Sequence, residues 1–319
     1  MRDDPQRPIC DYEGSAYRTE FWGAGRDYED AAERAALRRL LPPTGRRLID
    51  IGGGYGRLAP LYQGYDQVVI FDYALSQLRQ AQELWGAHAH GHSHGRRPRY
   101  TYVAGDFYHL PFAAGTFDTV TMVRTLHHAA DAPSVIQGTA EILAPGGTLV
   151  LEFANKRNLK AMLRYVAGRQ AWSPWDREPV EFVELNFDFH PAWVEERLRE
   201  AGLQVRERRA VSTFRLGLLK RAVPTAVLVT LDRLCQPLGG LAPISPSVFL
   251  RCEAAGHKPR ADEGAFFRCT ACGSTALAER EDALVCQSCD ASFPIQNGIY
   301  DFRDTRSRTA DDGTALTTP

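Results

Sequence analysis

The chain of 319 residues is long enough for one large domain or two smaller ones. Hydrophobic residues make up 44% and charged residues 24%, which is the ordinary range of a soluble protein. The formal net charge of −1 excludes the overall positive charge that favours binding to nucleic acid or to a membrane.

The sequence also argues against a secreted or membrane-spanning protein. The first residues contain no apolar segment, so we expect no signal peptide. The longest uncharged stretch near the end, residues 234–250, is interrupted by proline and glycine and is too broken for a membrane helix. Of seven cysteines, four form two close pairs. This pattern favours a reducing cytoplasm and a metal site over a disulfide framework.

Residues 1–46 precede the first predicted strand, and we expect them to form an N-terminal helical cap. Apolar residues on one face predict a helix from Glu29 to Leu41, which Pro42 and Pro43 end. This segment is expected either to pack as a helix against the edge of the sheet that follows or to form a lid over the active site.

The most informative stretch runs from Leu48 to Arg57, where an apolar run ends in Asp50 and a glycine-rich turn follows. Glycine is needed in such a turn because a Cβ would block a ligand that lies against the backbone, and because the turn often requires a positive φ. The apolar residues after it predict a helix that begins near Leu58. Strand, glycine turn and helix are the beginning of a nucleotide-binding βαβ unit.

Apolar runs alternate with helical patterns over residues 47–154, and this alternation predicts a parallel, doubly wound sheet. A helix and two late strands are expected to complete the sheet. The predicted strands are 67–72, 100–104, 117–123, 148–153, 204–211 and 247–254, and the predicted helices are 74–84, 134–143 and 193–201.

Two nucleoside cofactors fit the glycine turn. Asp72 lies at the end of the second strand, 20 residues after Gly52, where an acid can accept both ribose hydroxyls of S-adenosylmethionine (SAM) or of NAD. The dinucleotide pattern G-x-G-x-x-G/A fits poorly. If the pattern begins at Gly52, its third glycine position is occupied by Arg57. If it begins at Gly54, it starts two residues too far from the strand.

Several motifs in order separate the two cofactors, and together they resemble the class I, type 11-like SAM-dependent methyltransferases. They are Asp50-x-Gly52-x-Gly54-x-Gly56, Gly105-Asp106-Phe107, Leu110-Pro111-Phe112, Phe117-Asp118, His127-His128 and Pro145-Gly146-Gly147. The resemblance implies an α/β fold with a doubly wound, mostly parallel, seven-stranded Rossmann-like sheet over residues 47–255. It also implies an insertion at about 155–191 that covers the substrate.

The resemblance implies roles for particular residues of this chain. Asp72 would hold the ribose, Asp106 would meet the adenine amino group, and a histidine would be the base if the acceptor is a hydroxyl. The cap and the insertion would contribute residues to the substrate side. The expected cofactor-binding residues are Asp50, Gly52, Gly53, Gly54, Gly56, Asp72, Tyr73, Asp106, Phe107 and Arg124; the catalytic candidates are His127 and His128; the substrate candidates are Tyr17, Arg18, Trp22, Trp172, Trp175 and His190.

Two further segments carry weaker signals. The insertion contains a basic stripe of Lys156, Arg157, Lys160 and Arg164, which favours a solvated helix face and leaves an RNA contact as the alternative. Residues 88–94 contain four histidines without a carboxylate or cysteine partner beside them. A mobile surface loop is the favoured interpretation, and a metal site is the alternative.

The end of the chain contains Cys269-x-x-Cys272 and Cys286-x-x-Cys289. Two such pairs can place four thiolates around one zinc ion, whereas a redox motif needs a single reactive pair in a βαβ setting. We therefore predict a structural zinc ribbon over 267–303, after a linker at 256–266 and before a disordered tail at 304–319. The stretch 293–302 resembles the small zinc-ribbon subunit that activates tRNA and protein methyltransferases.

The sequence thus predicts a cytoplasmic SAM-dependent methyltransferase that transfers a methyl group to an O, N or C atom of a small, partly apolar acceptor. An RNA or protein methyltransferase that uses the ribbon for recognition is the first alternative. An inactive binding module and an NAD-dependent oxidoreductase are the others. The sequence leaves the acceptor and the oligomeric state open.

Overall fold

The computed structural model describes residues 7–23, 25–86, 99–240, 243–256 and 264–303. The predicted histidine-rich loop 88–94 and the predicted tail 304–319 lie outside these residues, as does most of the predicted linker. Strands in the described part are β1 Gly45–Ile51, β2 Tyr65–Asp72, β3 Tyr100–Ala104, β4 Phe117–Met122, β5 Leu143–Ala154, β6 Val180–Val183, β7 Asn186–Asp188, β8 Leu203–Val211, β9 Ser247–Ala254, β10 Leu277–Glu279, β11 Ala283–Cys286, β12 Ser292–Gln296 and β13 Ile299–Asp301.

The helices lie on both faces of the sheet that most of these strands form. Those in the described part are α1 Asp27–Leu40, α2 Leu75–Trp85, α3 Ala132–Ile142, α4 Leu159–Val166, α5 Pro191–Glu200, α6 Gly217–Ala222 and α7 Thr225–Cys235. Within the described ranges no helix combines the length and the hydropathy that a membrane crossing requires.

Seven strands of the sheet follow the order β3-β2-β1-β4-β5-β9-β8. The first five are parallel to one another, and β9 lies antiparallel between β5 and β8. Strands such as β1 and β2 are buried over most of their length because helices cover both faces. The predicted doubly wound, mostly parallel, seven-stranded Rossmann-like sheet is confirmed.

The strands of the C-terminal segment extend this sheet. β13 pairs in parallel with β3, so that Ile299 lies opposite Tyr102 and Asp301 opposite Ala104. The antiparallel strands β12, β11 and β10 continue beyond it, which gives one sheet of eleven strands. We call residues 267–303 the ribbon. The sequence had suggested an appended unit, whereas the structure shows a ribbon that shares backbone hydrogen bonds with β3.

An aromatic cluster fills the space between the ribbon and the main sheet. The Phe112 ring lies 5.8 Å from that of Phe267, which in turn lies 4.9 Å from Tyr300 and 5.3 Å from Phe302. These side chains belong to the same buried core as the methyltransferase-like strands. The ribbon is therefore held by apolar burial as well as by strand pairing.

The prediction of a helix directly after the glycine turn is wrong. Only a short turn of 3₁₀ helix, Ala59–Leu61, forms there. Pro60 sits inside this turn, and β2 begins at Tyr65, so the chain has too few residues for several helical turns. The other predicted elements of residues 47–154 form within a few residues of their expected bounds.

Candidate active site

The glycine turn leaves β1 at the carboxyl edge of the sheet. Gly52, Gly54 and Gly56 have φ values of 70°, 51° and 74°, a region that residues with a Cβ rarely adopt. A Cβ on Gly52 would lie 2.1 Å from Oγ1 of Thr125, so this position must be glycine. A Cβ on Gly54 would lie in open space, 3.9 Å from the nearest atom, Oδ2 of Asp72. The open space is a cradle in which a ligand can approach the backbone.

Two acids flank this turn. Asp50 is buried, and its Oδ1 accepts a hydrogen bond of 2.8 Å from Thr121, while its Oδ2 has no hydrogen-bond partner among the described residues. Asp72 accepts hydrogen bonds from the backbone N–H groups of Gly54 and Ala74, at 2.8 and 3.0 Å. Burial raises the pKa of each carboxyl group to about 6.

A cavity of about 850 Å³, counted with the open space at its mouth, lies over the turn. Many of its lining residues were predicted from the sequence, and the cap, β2 and the loop after β4 all contribute. The predicted residues at the cavity are Tyr17, Gly52, Gly54, Asp72, Tyr73, Phe107, Arg124, His127 and His128. Eight others were not predicted: Cys10, Tyr12, Phe21, Phe71, Gln77, Gly105, Thr125 and Asn186.

The two adjacent histidines differ in their hydrogen bonds. His128 is buried, its Nδ1 lies 2.9 Å from the carbonyl oxygen of Leu185, and its Nε2 lies 3.1 Å from the hydroxyl of Tyr12. A neutral ring that donates from Nδ1 and accepts at Nε2 satisfies both contacts. His127 lines the same cavity and makes no hydrogen bond to a described residue. Burial lowers the pKa of both rings, and for His127 the neighbouring His128 and Arg124 lower it further.

The cap, residues 7–40, closes one side of the cavity with aromatic rings. Tyr12, Tyr17 and Phe21 line it, and Tyr17 stacks on Phe21 with ring centroids 4.9 Å apart. Trp22 is buried just behind them, where its ring contacts Arg57, and the guanidinium group of Arg18 lies 5.8 Å from the centroid of the Tyr55 ring. Of the three cap residues expected on the substrate side, Tyr17 alone lines the cavity.

A buried ion network ties the cap to the loops of the site. Glu33 of α1 is fully buried and accepts hydrogen bonds from Arg57, at 2.8 Å, and from Arg124. Arg124 has a φ of 58°, and its backbone N–H donates to Glu152 of β5. Arg124, which we expected to bind the cofactor, thus lies at the cavity wall with its guanidinium group held by Glu33.

The remaining predicted residues lie outside the cavity. The carboxylate of Asp106 accepts from the backbone N–H of Tyr108 and contacts the His109 ring, although its neighbour Phe107 lines the cavity. Gly53, Gly56 and Asp50 belong to the turn or to the strand before it, but they do not line the cavity. Trp175 packs on Tyr165, Trp172 lies near Lys156, and His190 accepts a hydrogen bond at the start of α5.

The four ribbon cysteines form a separate cluster. Their sulfur atoms all lie within 4.8 Å of one another. The Sγ atoms of Cys269 and Cys289 are 3.7 Å apart, and those of Cys272 and Cys286 are 3.6 Å apart. A tetrahedral ion with bonds of about 2.3 Å to sulfur requires sulfur separations of about 3.8 Å. The cluster therefore has the dimensions of a four-thiolate metal site.

Comparison with known proteins agrees with this geometry. Residues 49–151 match the family model described as a methyltransferase domain. A demethylmenaquinone methyltransferase of Corynebacterium kroppenstedtii is 32% identical over 123 residues, which are 38% of this chain and 48% of that protein. A ubiquinone biosynthesis O-methyltransferase of Thiobacillus denitrificans is 26% identical over 52% of this chain and 68% of its own length. The chain spans about half the length of most curated relatives it matches.

Solved structures show the same fold at low sequence identity. A chain from a complex that contains the Haloferax volcanii Trm112 methyltransferase activator has a TM-score of 0.50 and 19% identity, over 76% of this chain and 97% of that one. A SAM-dependent methyltransferase of Mesorhizobium loti has a TM-score of 0.50 and 18% identity, over 71% and 99%.

The fold and the matched region define the class. Residues 49–151 are a class I SAM-dependent methyltransferase domain.

Proposed function

We propose that the protein transfers the methyl group of SAM to an O, N or C atom of a small, partly apolar acceptor. One observation carries the proposal: a single cavity joins the glycine turn and Asp72 to His127 and to the aromatic rings of the cap. The names of the relatives above, from menaquinone and ubiquinone biosynthesis, support an apolar acceptor with a ring.

The residues around the glycine turn fit this cofactor. The open space at Gly54 would receive the ligand, and the Asp72 carboxylate would accept the ribose hydroxyls. Phe107, which lines the cavity, would pack near the adenine, and Asp106 beside it would accept the adenine amino group. SAM, when bound, supplies a methyl group already activated by its sulfonium. The protein therefore has mainly to align the acceptor with it.

His127 is the better candidate for a general base. Both ring nitrogens of His128 already have partners, whereas His127 faces the cavity without a hydrogen bond to the described residues. Burial lowers the pKa of His127, which favours the neutral ring, and the neutral ring is the form that can accept the proton of a hydroxyl acceptor. His128 would hold the cap against the loop after β4.

Calorimetric binding of S-adenosylhomocysteine tests the cofactor. We expect micromolar binding by the wild type, none by Asp72→Ala, and no binding of NAD by either. Binding of NAD alone, or of neither ligand, would contradict the proposal.

Product formation with a panel of small aromatic hydroxy compounds tests the base. His127→Gln should lower kcat about 100-fold while leaving S-adenosylhomocysteine affinity unchanged. His128→Gln, the matched control, should lose less of kcat and more of its thermal stability. Equal losses of kcat in both variants would show that His127 is not the general base.

We further propose that Cys269, Cys272, Cys286 and Cys289 bind one structural zinc ion. Their spacing and their sulfur separations support it. Metal analysis of the purified protein should give one zinc per chain, and Cys286→Ser with Cys289→Ser should abolish it. Retention of zinc in that double variant would contradict the assignment.

A further inference from the structure

A buried glutamine in the wall of the cavity has an amide oxygen without a partner. Gln77 lies in the first turn of α2, is 1% exposed and lines the cavity. Its Oε1 accepts no hydrogen bond from any described residue. A buried acceptor without a donor is destabilising. Such an atom on a residue of a binding cavity therefore points to a ligand that supplies the donor.

The orientation of this amide group follows from the contact of its nitrogen. Nε2 of Gln77 donates to the carbonyl oxygen of Ser15 at 3.2 Å. In the reverse orientation the amide oxygen would face that carbonyl oxygen, and two acceptors cannot form a hydrogen bond with each other. The contact with the cap therefore leaves Oε1 as the atom that a ligand can use.

The cap segment that holds this amide is itself attached to the start of α2. The backbone N–H of Gly14 donates to Oγ of Ser76 at 3.0 Å, and the backbone N–H of Ser76 donates to the Glu13 carboxylate at 3.2 Å. A carboxylate is favourable at the first turn of a helix. These contacts hold the Gln77 side chain in place before a ligand binds, which lowers the entropy cost of binding.

The position of Gln77 indicates which part of a ligand it can reach. Asp72 ends β2, Tyr73 follows it, and both line the cavity just before the start of α2. Each carboxylate oxygen of Asp72 already accepts a backbone N–H, from Ala74 or from Gly54. A nucleoside brings two ribose hydroxyls and, in adenine, an amino group as donors. A second acceptor on this wall would thus complete its recognition.

We propose that Oε1 of Gln77 accepts a hydrogen bond from the nucleoside part of the bound cofactor, beside Asp72. The same amide group then connects the nucleoside to the cap, because its nitrogen is held by Ser15. This inference rests on the proposed function, since it takes SAM as the cofactor.

Calorimetry of the full-length protein with S-adenosylhomocysteine and with methylthioadenosine tests the proposal. Methylthioadenosine retains the nucleoside and lacks the amino and carboxylate groups of the methionine part. Gln77→Met keeps the length of the side chain without its polar atoms, and it should weaken the binding of both ligands about tenfold. Gln82→Met, on the same helix, is the matched control. Nε2 of Gln82 also donates to a backbone carbonyl, that of Asn297 at 2.9 Å, but Gln82 does not line the cavity, so both affinities should stay unchanged.

Thermal unfolding separates this role from a structural one. Both variants lose one hydrogen bond to a backbone carbonyl, so their melting temperatures should fall by similar amounts, while only Gln77→Met loses affinity. Equal affinity of Gln77→Met and the wild type for both ligands would overturn the proposal. So would a loss confined to S-adenosylhomocysteine, because the donor would then lie in the amino-acid part. A wild type that does not bind S-adenosylhomocysteine would instead contradict the proposed function, and this inference with it.

Discussion

The cap and the ribbon both lie outside the seven strands, but the cap lines the cavity, whereas the ribbon contacts residues of the cavity wall from outside. The cap is attached by the apolar face of α1, which is buried in the core, and by polar side chains: the buried Glu33 between Arg57 and Arg124, and the hydroxyl of Tyr12 on His128. The ribbon is attached by the backbone of β13 along β3 and by an aromatic cluster.

The two attachments meet at the end of β2 and β3. Tyr73 lines the cavity beside cap residues, while Arg303 at the end of the ribbon lies over its ring. A Cβ on Gly105, another lining residue, would come within 3.7 Å of Phe302. Loss of the ribbon should therefore disturb many backbone contacts at once, whereas a change of a single charge or hydroxyl group in the cap should weaken an attachment that the buried face of α1 also maintains.

The largest effect should come from the cysteines. Cys286→Ser with Cys289→Ser removes ligands from the proposed metal site, so we expect a melting temperature lower by about 10 °C or more, because metal binding supplies folding energy to such a small unit. S-adenosylhomocysteine affinity should fall about tenfold, since β3 leads into Gly105. Calorimetry and thermal unfolding measure both. Cys235→Ser, outside the cluster, is the control. Normal S-adenosylhomocysteine affinity in a zinc-free double variant would show that the ribbon does not influence the cavity.

The next largest effect concerns Glu33. Glu33→Gln leaves the buried guanidinium group of Arg124 without its carboxylate and that of Arg57 with Asp30 alone, and the free energy of unfolding in urea should fall by about 3–5 kcal/mol. Burial alone would raise the pKa of Glu33, but Arg124 and Arg57 together hold it below its ordinary value. This stabilisation should therefore be complete at neutral pH and be lost as the pH falls through that lowered pKa.

Glu253→Gln is the matched control for the ion network. Glu253 pairs with Arg206 at 2.8 Å, but both side chains are about half exposed to solvent. Its substitution should cost less than about 1 kcal/mol. Similar costs at the two positions would show that the buried network does not anchor the cap.

A smaller effect is expected from pH, which should change the S-adenosylhomocysteine affinity through the two acids that flank the glycine turn. Asp72 and Asp50 have pKa values of about 6, so both are carboxylates at pH 8 and largely neutral acids at pH 5. S-adenosylhomocysteine affinity should fall about tenfold over this interval. Asp72→Asn should bind weakly at both pH values and show a smaller dependence. Asp66→Asn, at the exposed start of β2, should behave as the wild type; a pH-independent wild type would contradict the prediction.

The smallest effect tests a single hydroxyl of the cap. Tyr12→Phe removes the donor to Nε2 of His128, and the free energy of unfolding should fall by about 1 kcal/mol. Tyr55→Phe is the control, because the Tyr55 hydroxyl has no hydrogen-bond partner among the described residues. An equal cost in both variants would show that the Tyr12 bond contributes nothing to holding the cap.

Local patterns of the sequence predicted most of the sheet. The bounds of β3, Tyr100–Ala104, follow from one apolar run. The glycine turn could be predicted because its positions require glycine, and the sequence has glycine there. Asp72 and His127 were found because motif order places them at the carboxyl edge of β2 and β4, the two parallel neighbours of β1. Each of these predictions depends on a pattern that spans only a few consecutive residues or on the order of such patterns along the chain.

The helix predicted after the glycine turn failed for a local reason, the short connection to β2, whereas the other misses depend on contacts between distant segments. Nothing near Tyr12 or Cys10 shows that the start of the chain folds over β2, and nothing near Asn186 shows that a hairpin turn reaches the cavity. Aromatic composition placed Trp172 and Trp175 on the substrate side, but it cannot tell which face of an insertion is turned inward. The pairing of β13 with β3 joins residues about 200 positions apart.

The pairing of β13 with β3 has a consequence for aggregation. Without the ribbon, β3 would be the outermost strand, and its free N–H and C=O groups would offer a template to any other extended chain. With the ribbon in place, the sheet ends instead at β10, a strand of three residues. A chain that loses residues 264–303 should therefore tend to associate with itself. The ribbon thus protects the edge of the folded protein's sheet from other copies of the chain.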